Sequence, residues 1–511
     1  MASLKLHLPL LVLILMGGDP IRAADYHVDS RFGDDHNPGT LTTRPWKSLK
    51  KVNSTIFKPG DRILFAAGSR YSGILKPKGH GKKGQPISIG SFGKGPRPVI
   101  EAKGAHPAAL LLKNIDHWEV RGLELSNTGK SRVAGRFGVL VSNDLIPVAR
   151  HIVLQDLLVR DVNGAFKKEN DSGAAILVTQ EGKSDRRFDD ILIAGNTIRN
   201  CSRNGIVIKG GPLRGPNWNP STGVVIRRNL IEGVGGDGIL PTTCKAPLVE
   251  WNVMRKCARL GKAGGAAAGM WPWACDDALF QFNEVSGHKA WIDAQAYDCD
   301  YSCRNTTFQY NLSYDNEGGF MLICSPGIHG KGWLKENAVN QGSRIRYNLS
   351  INDGSRTTNG EKHFFSPPFS ITGNSTQDTL IEKNLIIIPK KKDPKIDTNL
   401  LHFGTWGGKS AVNTRIRENI FLLKPGQRGT FAFHKTARQT LLENNTFIGN
   451  VTPLKPFPHV TTKNNRFSKK APDEVVIEGS KDELKTFRRF LATKGNPQDK
   501  SGVEIRWVPM N

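Results

Sequence analysis

A short pattern of apolar and polar positions recurs through the second half of the chain, and each copy ends in Asn. Three positions before nearly every such Asn stands an apolar residue, and two positions before it usually stands a polar one, as in Ile226-Arg227-Arg228-Asn229. This alternation has a period of two, so each copy predicts a β-strand with one buried face. The repeated residues are Asn196, Asn229, Asn252, Asn283, Asn311, Asn348, Asn384, Asn419, Asn445 and Asn465.

The repeats predict stacked coils of chain. After many of the Asn residues, a turn with Gly leads to a second short strand, as in Gly205-Ile206-Val207-Ile208. Repeats of roughly 20 to 40 residues with short strands and no helical pattern are typical of a solenoid. We therefore predict an all-β fold, a right-handed parallel β-helix. The Asn residues are expected to bond one another along the axis and to adopt the left-handed backbone conformation at the bend.

Both ends of the solenoid should be covered. Turn-rich segments between Asp29 and Ile100 predict an N-terminal cap and the first coils. Ser480 to Glu483 is a capping box, which predicts a short C-terminal helix packed as a lid. The expected divisions are a signal peptide at 1–24, the β-helix domain at 25–470 and a C-terminal capping segment at 471–511.

The N-terminus has the features of an export signal. Lys5 is followed by an apolar run from Leu6 to Met16, and Ala23-Ala24 supplies small residues for cleavage. The run is shorter than the roughly 20 residues that span a bilayer. We expect a secreted or periplasmic protein without a membrane span.

The charge balance indicates an acidic partner. The 511 residues contain 72 Lys+Arg against 46 Asp+Glu, which gives a net charge of +26. Nucleic acid is not expected, because export separates the chain from it and the bases are spread from Lys47 to Arg506. An anionic polysaccharide is the expected partner of a monomer.

The cysteines follow the register of the repeat. Cys244, Cys275 and Cys303 each lie eight residues before a repeat Asn, so they should form one column. Parallel side chains in such a column disfavour disulfide geometry. We expect most of the seven cysteines to be buried free thiols.

Acidic residues mark the region richest in candidate chemistry. Around Asp293, Ile292 and Ala294 alternate with Asp293 and Gln295, which predicts that the two polar side chains point outward. Hydrolysis of a glycosidic bond needs two carboxyl groups with separate roles. Asp293 is the first candidate, and its partner is Asp237, Asp298 or Asp300. The last two are alternatively calcium ligands.

Seven side chains are candidates for substrate binding: Trp271, Trp273, Gln295, Lys245, Asp276, Arg304 and Lys289. Lys245, Asp276 and Arg304 each lie seven residues before a repeat Asn, so they should stack on the outside. Such a column is either a surface salt-bridge ladder or a cradle for an anionic sugar. The two Trp residues are expected in a long inserted loop, where they either wall a cleft for sugar rings or are buried in the core.

Several segments resemble a known superfamily. They are Val28-Asp29-Ser30, Asn37-Pro38-Gly39-Thr40, Pro45-Trp46-Lys47-Ser48-Leu49 and Pro59-Gly60-Asp61, followed by the coils that end in Asn. Together they resemble exported bacterial right-handed parallel β-helix proteins of the pectin-lyase-like superfamily. The stretch from Asp293 to Asp300, with the stretch from Tyr310 to Gly319, looks like a motif of members that act on complex glycans. The resemblance implies the fold and a polysaccharide substrate, and it leaves the reaction open.

Three functions are consistent with these observations. The first is a secreted glycoside hydrolase that degrades an acidic (uronic or sulfated) polysaccharide. The second is a polysaccharide lyase, in which Lys245, Lys289 or Arg304 would take a proton and calcium would bind near Asp298 and Asp300. The third is a non-catalytic carbohydrate-binding β-helix. The hydrolase requires no cofactor, and calcium stays open as an alternative.

Overall fold

A computed structural model describes residues 23–168, 172–181, 185–211, 214–215, 217–257, 265–327, 338–356, 365–393, 396–471, 474–494 and 504–509. Within these residues the chain is a parallel β-helix, as predicted, with two helices, α1 (Leu49–Ser54) and α2 (Lys481–Ala492). Neither helix is long and apolar enough to cross a membrane. The predicted signal peptide falls almost entirely on residues 1–22, outside the described part.

Sheet I begins each coil, and its described strands all pair in parallel. They are Asp25–Val28, Arg62–Ala66, Ile87–Phe92, Trp118–Arg121, Val148–Gln155, Arg187–Ala194, Thr222–Arg227, Leu248–Glu250, Leu279–Gln281, Thr307–Gln309, Arg344–Arg346, Leu380–Glu382, Val412–Arg417, Arg438–Glu443 and Val460–Lys463.

Sheet II follows after the bend. Its strands are Arg70–Ser72, Val99–Glu101, Glu124–Asn127, Leu158–Val162, Thr197–Cys201, Leu230–Glu232, Val253–Arg255, Glu284–Ser286, Leu312–Tyr314, Leu349–Ile351, Leu385–Ile388, Ile420–Leu423, Thr446–Ile448 and Arg466–Ser468.

Sheet III closes the coil in two stretches. The first contains Ala108–Lys113, Phe137–Asn143, Ala174–Gln180, Asn204–Lys209 and Ile239–Pro241. The second contains Tyr297–Cys299, Met321–Cys324, Phe369–Thr372, Thr398–Phe403, Arg428–Phe433 and Asn450–Val451. Single bridges from Ile239 to Met270 and from Met270 to Tyr297 join the stretches. Three smaller pairs are Ile56–Phe57 with Lys78–Gly79, Ala266–Ala267 with Ile292–Asp293, and Glu474–Gly479 with Glu504–Pro509.

The apolar column of the repeat forms the core between the three sheets. Ile193 pairs with Ile226, Ile226 with Val249 and Val249 with Phe280, and none of these side chains is exposed. The cysteine prediction is also confirmed, because all seven cysteines are buried and unpaired. Cys244 and Cys275 lie beside the bridge between Lys245 and Asp276, so they occupy adjacent coils.

The repeat Asn residues form a continuous hydrogen-bonded ladder, as predicted. The Nδ2 of Asn252 donates to Oδ1 of Asn283 at 3.1 Å and to the carbonyl of Ile226 at 2.9 Å. The backbone N–H of Asn252 also donates to Oδ1 of Asn283, at 3.0 Å. The same bonds recur from Asn196 to Asn465. The ladder thus fixes the register of one coil on the next.

The predicted backbone conformation of the ladder residues is wrong by one position. The residue before the Asn adopts the left-handed conformation, with φ of 58° at Trp251, 53° at Phe282 and 54° at Tyr310. The Asn N–H has to point along the axis toward the next Asn side chain, so the chain must bend one residue earlier. Each left-handed residue costs roughly 1–2 kcal/mol, which the ladder bonds offset.

Aromatic side chains at these left-handed positions stack outside the solenoid. Trp251 stacks on Phe282 with ring centroids 4.8 Å apart, Phe282 on Tyr310 at 5.5 Å, and Tyr310 on Tyr347 at 5.2 Å. Helix α2 packs on this row, and Phe490 meets the Trp251 ring edge-on at 5.6 Å.

The C-terminal helix therefore covers a side of the solenoid, and the prediction that it forms a lid is wrong. The aromatic row needs cover, and the buried Glu284 carboxylate adds an anchor for Lys494 at 3.0 Å. The helix begins at Lys481 as expected, but the Ser480 side chain makes no capping hydrogen bond to it.

Loss of one ladder rung should destabilise the fold. Asn283→Ala removes the Oδ1 that accepts two bonds from Asn252, and each buried polar group left unpaired costs about 1–3 kcal/mol. We expect a loss of about 3 kcal/mol in the free energy of unfolding, measured by urea denaturation. Asn450→Ala, at an exposed position, should stay within about 0.5 kcal/mol. Equal stability of the two variants would contradict the role of the ladder.

A histidine on sheet I should make stability depend on pH. His151 lies between Asp190 Oδ2 at 2.8 Å and Glu119 Oε1 at 2.9 Å. Partial burial lowers the pKa of His151, but the two carboxylates outweigh it and the net pKa is raised. The stabilisation is therefore complete below the unfolded pKa of about 6.5 and is lost as pH rises through the raised folded value. The stability gap between the wild type and His151→Gln should be larger at about pH 5.5 than at about pH 9. A gap of the same size at both values would refute the assignment.

Candidate active site

A cavity of about 280 Å³ opens on the outer side of sheet III, where its two stretches meet. All four predicted catalytic residues line it. The lining side chains with relevant chemistry are Asp237, Asp293, Asp298, Asp300, Lys168, Trp271, Tyr301, Leu322, Cys324 and Trp406.

Stacked strand positions bring two of the carboxylates to this cavity. Tyr297 and Cys299 point into the core and are fully buried, so the alternate residues Asp298 and Asp300 point outward. Asp298 pairs with Leu322 on the following coil. Met270 pairs with Tyr297, which places Trp271 beside Asp298 on the preceding coil.

Asp298, Asp300 and Cys324 form a compact cluster whose ligand atoms all lie within 4.8 Å of one another. Cys324 Sγ donates to Asp300 Oδ1 at 3.2 Å, and the Tyr301 N–H donates to the same oxygen at 2.7 Å. Burial raises the pKa of Asp298, and the negative charges of Asp300 and Asp293 raise it further. Burial also raises the pKa of Asp300, against the opposing effect of these two hydrogen bonds.

The cluster does not have the donor set of a calcium site. Ca²⁺ takes six to eight oxygen ligands, whereas this group offers two carboxylates and a thiol. Burial and the two carboxylates raise the pKa of the Cys324 thiol, so it stays protonated and acts as a hydrogen-bond donor. Among the residues that the structure describes, this cluster of Asp298, Asp300 and Cys324 is the one candidate metal-binding group.

Asp293 reaches the cavity by a different route from the one predicted. Asp293 and Ala294 both adopt the left-handed conformation, with φ of 66° and 65°, so the regular alternation breaks here. Gln295, predicted to point outward, is buried, and Ile292 is exposed. The strand is only two residues long and pairs with Ala266–Ala267. Asp293 is partly exposed at the cavity because of this turn.

Both carboxylate oxygens of Asp237 accept hydrogen bonds within the cavity wall. Its Oδ1 accepts from the Ala268 N–H at 3.0 Å and from Trp271 Nε1 at 3.1 Å. Its Oδ2 accepts from Arg203 at 3.2 Å, and both side chains of this ion pair are at most 3% exposed. Asp237 therefore holds the indole of Trp271 in place. Nothing in the sequence pattern pointed to Arg203.

Among the predicted binding residues only Trp271 lines the cavity. Lys245, Asp276 and Arg304 do stack on successive coils as predicted, but away from the cavity, and Arg214 binds Asp276 at 2.5 Å. Lys289 is exposed elsewhere.

The long-loop interpretation of the two tryptophans is wrong. Trp273 bridges to Thr242 and Trp271 lies beside Met270, so both occupy stacked positions of the coil. Trp273 is partly buried and does not line the cavity.

Five of these lining residues were not predicted from the sequence: Leu322 and Cys324 on a strand of sheet III, and Lys168, Tyr301 and Trp406 outside the strands. Trp406 is 43% exposed at the cavity, and its ring meets Tyr301 edge-on at 6.2 Å. Lys168 Nζ lies 5.5 Å from the centre of the Trp271 ring. Lys168, Tyr301 and Trp406 lie in connections between strands. The lengths of these connections vary from coil to coil, so the repeat does not predict the positions of their residues.

Comparisons with known proteins relate the chain to glycoside hydrolases. No protein-family model matches it. It is 27% identical over 471 residues to the lacto-N-biosidase of Bifidobacterium longum subsp. longum, and the alignment covers 71% of this chain and 28% of that protein. A 95-residue segment is 32% identical to alpha-1,3-galactosidase A of Akkermansia muciniphila and covers 16% of each protein.

A solved structure shows the same relationship. The structure of the GH136 lacto-N-biosidase from Eubacterium ramulus matches with a TM-score of 0.64 and 26% identity, over 78% of this chain and 68% of that one. The chain spans little more than a quarter of the length of the bifidobacterial relative. The chain is thus homologous to lacto-N-biosidase, which is a glycoside hydrolase, and it has the fold of the solved relative.

Proposed function

We propose that the protein is a glycoside hydrolase whose active site is the cavity that contains Asp293, Asp298 and Asp300. The observation that carries the proposal is the convergence of these three carboxylates in one cavity of a chain homologous to lacto-N-biosidase. Cleavage of a glycosidic bond needs one carboxylic acid and one carboxylate at the same bond.

The surroundings of the three residues suggest how the roles divide. Burial raises the pKa of both Asp298 and Asp300, and repulsion by neighbouring carboxylates adds to it, from Asp300 and Asp293 at Asp298 and from Asp237 at Asp300. This couple therefore retains a proton for the leaving oxygen. Asp300 is the less buried of the two and presents that proton, while the Tyr301 N–H and Cys324 orient its Oδ1. Asp293 is the carboxylate that attacks the sugar or activates water.

The charge distribution suggests a substrate with two parts. Four Asp residues line the cavity, and this concentration of negative charge disfavours a uronic or sulfated sugar at the cleaved position. The net charge of +26 favours an anionic glycan as the surrounding polymer. We therefore propose that a neutral unit, with a lacto-N-biose-type disaccharide as the first candidate, is released from an acidic polysaccharide outside the cell.

Trp271 and Trp406 complete the binding site in this proposal. Aromatic faces at a cavity suit the apolar faces of sugar rings, and Asp237 fixes the orientation of the Trp271 indole. No step of the proposed reaction requires a metal ion, since the Asp residues supply both the acid and the carboxylate.

The catalytic assignment predicts large losses from isosteric changes. Asp293→Asn and Asp300→Asn should each lower kcat by about 100-fold or more while the fold is retained, because each removes an acid or base. Release of reducing ends is measured on an aryl lacto-N-bioside and on neutral and sulfated glycans. Asp378→Asn, an exposed carboxylate outside the cavity, is the control and should keep full activity.

Several results would contradict the proposal. Near wild-type turnover of Asp293→Asn would show that the site lies elsewhere. A product that absorbs in the ultraviolet would identify a lyase, and glycan binding without any released reducing end would identify a carbohydrate-binding protein.

A further inference from the structure

Asp293 sits on a backbone that needs support. Asp293 and Ala294 are consecutive left-handed residues, and neither is Gly, so both are in a conformation that is unfavourable for a residue with a Cβ. The ladder bonds that offset this cost at the bends of the solenoid do not involve Asp293. Other contacts must therefore hold this conformation.

The guanidinium of Arg356 supplies the first of these contacts. It donates to the carbonyl of Asp293, and also to the carbonyls of Ala290 and Trp291 at 3.2 and 3.3 Å. Its Nε donates to the carbonyl of Phe365 at 3.2 Å. Arg356 is only 2% exposed, so these bonds form away from water, and they tie the segment before Asp293 to the following coils.

Gly318, on the following coil, supplies the second contact. A Cβ at Gly318 would lie 2.4 Å from the Asp293 carbonyl oxygen and 2.2 Å from the Ala294 carbonyl carbon, so no side chain fits there. The Gly318 N–H donates to the Ala294 carbonyl at 3.0 Å, and the Gly318 carbonyl accepts from the Gly354 N–H at 2.6 Å. Gly318 belongs to the motif that the sequence analysis related to glycan-active proteins, and the close backbone approach explains why Gly stands there.

We infer that Arg356 is a positioning residue for Asp293, acting with Gly318 to hold the carboxylate at the cavity and to keep it ionised. The inference rests on the proposed hydrolase function. The guanidinium bonds to the backbone carbonyl of Asp293 itself, and a cation held at this residue favours the charged form of its carboxylate.

Other charges near Asp293 act in both directions. Carboxylates favour its protonated form and cations its ionised form. The titratable and charged groups that line the same cavity are Asp237, Asp298, Asp300, Tyr301, Cys324 and Lys168. Arg356 adds a cation that is bonded to the Asp293 backbone, and Lys391 is a further charged group that interacts with Arg356.

Two substitutions of Arg356 separate the effect of its hydrogen bonds from the effect of its charge. Arg356→Gln removes both the guanidinium hydrogen-bond donors and the positive charge. Because the catalytic carboxylate is then misplaced, kcat should fall about 100-fold, with little change in KM. The acidic limb of the pH profile of kcat should move to higher pH, because Asp293 loses its cation. Arg356→Lys keeps the charge, so its acidic limb should stay near that of the wild type while kcat remains lowered.

Two further measurements exclude a purely structural effect. Added guanidinium ion should restore activity to Arg356→Ala in a concentration-dependent way, and it should leave Asp293→Asn inactive. Arg438→Gln is the matched control, because Arg438 is exposed and also donates to backbone carbonyls, and it should keep wild-type kinetics.

The outcomes distinguish this inference from the proposed function. A folded Arg356→Gln protein with wild-type kcat and pH profile overturns the inference, provided that Asp293→Asn is inactive. If Arg356→Gln does not fold, wild-type kcat in Arg356→Lys overturns it instead. Activity in Asp293→Asn would overturn the site itself.

Discussion

The hydrogen-bonded ladder of Asn side chains is the interaction on which the rest of the molecule depends. Each coil has a different length, yet Asn252, Asn283 and Asn311 meet at one place because each side chain accepts from the backbone of its neighbour. The ladder sets the phase of the coils from Asn196 to Asn465. Residues with no regular spacing in the sequence, such as Trp271 and Asp298, therefore become neighbours on the outer face. The cavity that we propose as the active site is a consequence of this register, since its walls come from several successive coils.

The sequence revealed the fold because one pattern contains both the strand and its register. The apolar residue three positions before each Asn identified the core, and a fixed offset from the Asn placed Lys245 against Asp276 and Asp276 against Arg304, as the structure confirms. The four candidate carboxylates do line one cavity, although the argument for Asp293 was wrong. Strand alternation fails there because two left-handed residues interrupt the strand. Arg356 and Trp406 could not be found in this way, since their positions depend on loops outside the repeat.

The charge of the cavity is opposite in sign to that of the molecule as a whole. The molecule as a whole has a net charge of +26, whereas the cavity collects four carboxylates. Such a cluster is unfavourable for folding because burial and mutual repulsion oppose ionisation. The parallel stacking makes the cluster hard to avoid once the residues are present, as coils are only about 4.8 Å apart. Raised proton affinity at Asp298 and Asp300 is the direct result, and it is the property that an acid catalyst needs.

At the ladder bends and at Asp293, specific bonds offset the backbone strain of left-handed residues. At the bends, left-handed residues such as Phe282 and Tyr310 are followed by a ladder Asn with at least two side-chain hydrogen bonds. Asp293 and Ala294 lie away from the ladder, and there the buried guanidinium of Arg356 and the bare backbone of Gly318 take its place. A regular strand at this point would have been less strained, but it would have sent alternate side chains to opposite faces. The left-handed pair instead brings the carboxylate of Asp293 to the same cavity as Asp298 and Asp300, which is the arrangement that two-carboxylate chemistry requires.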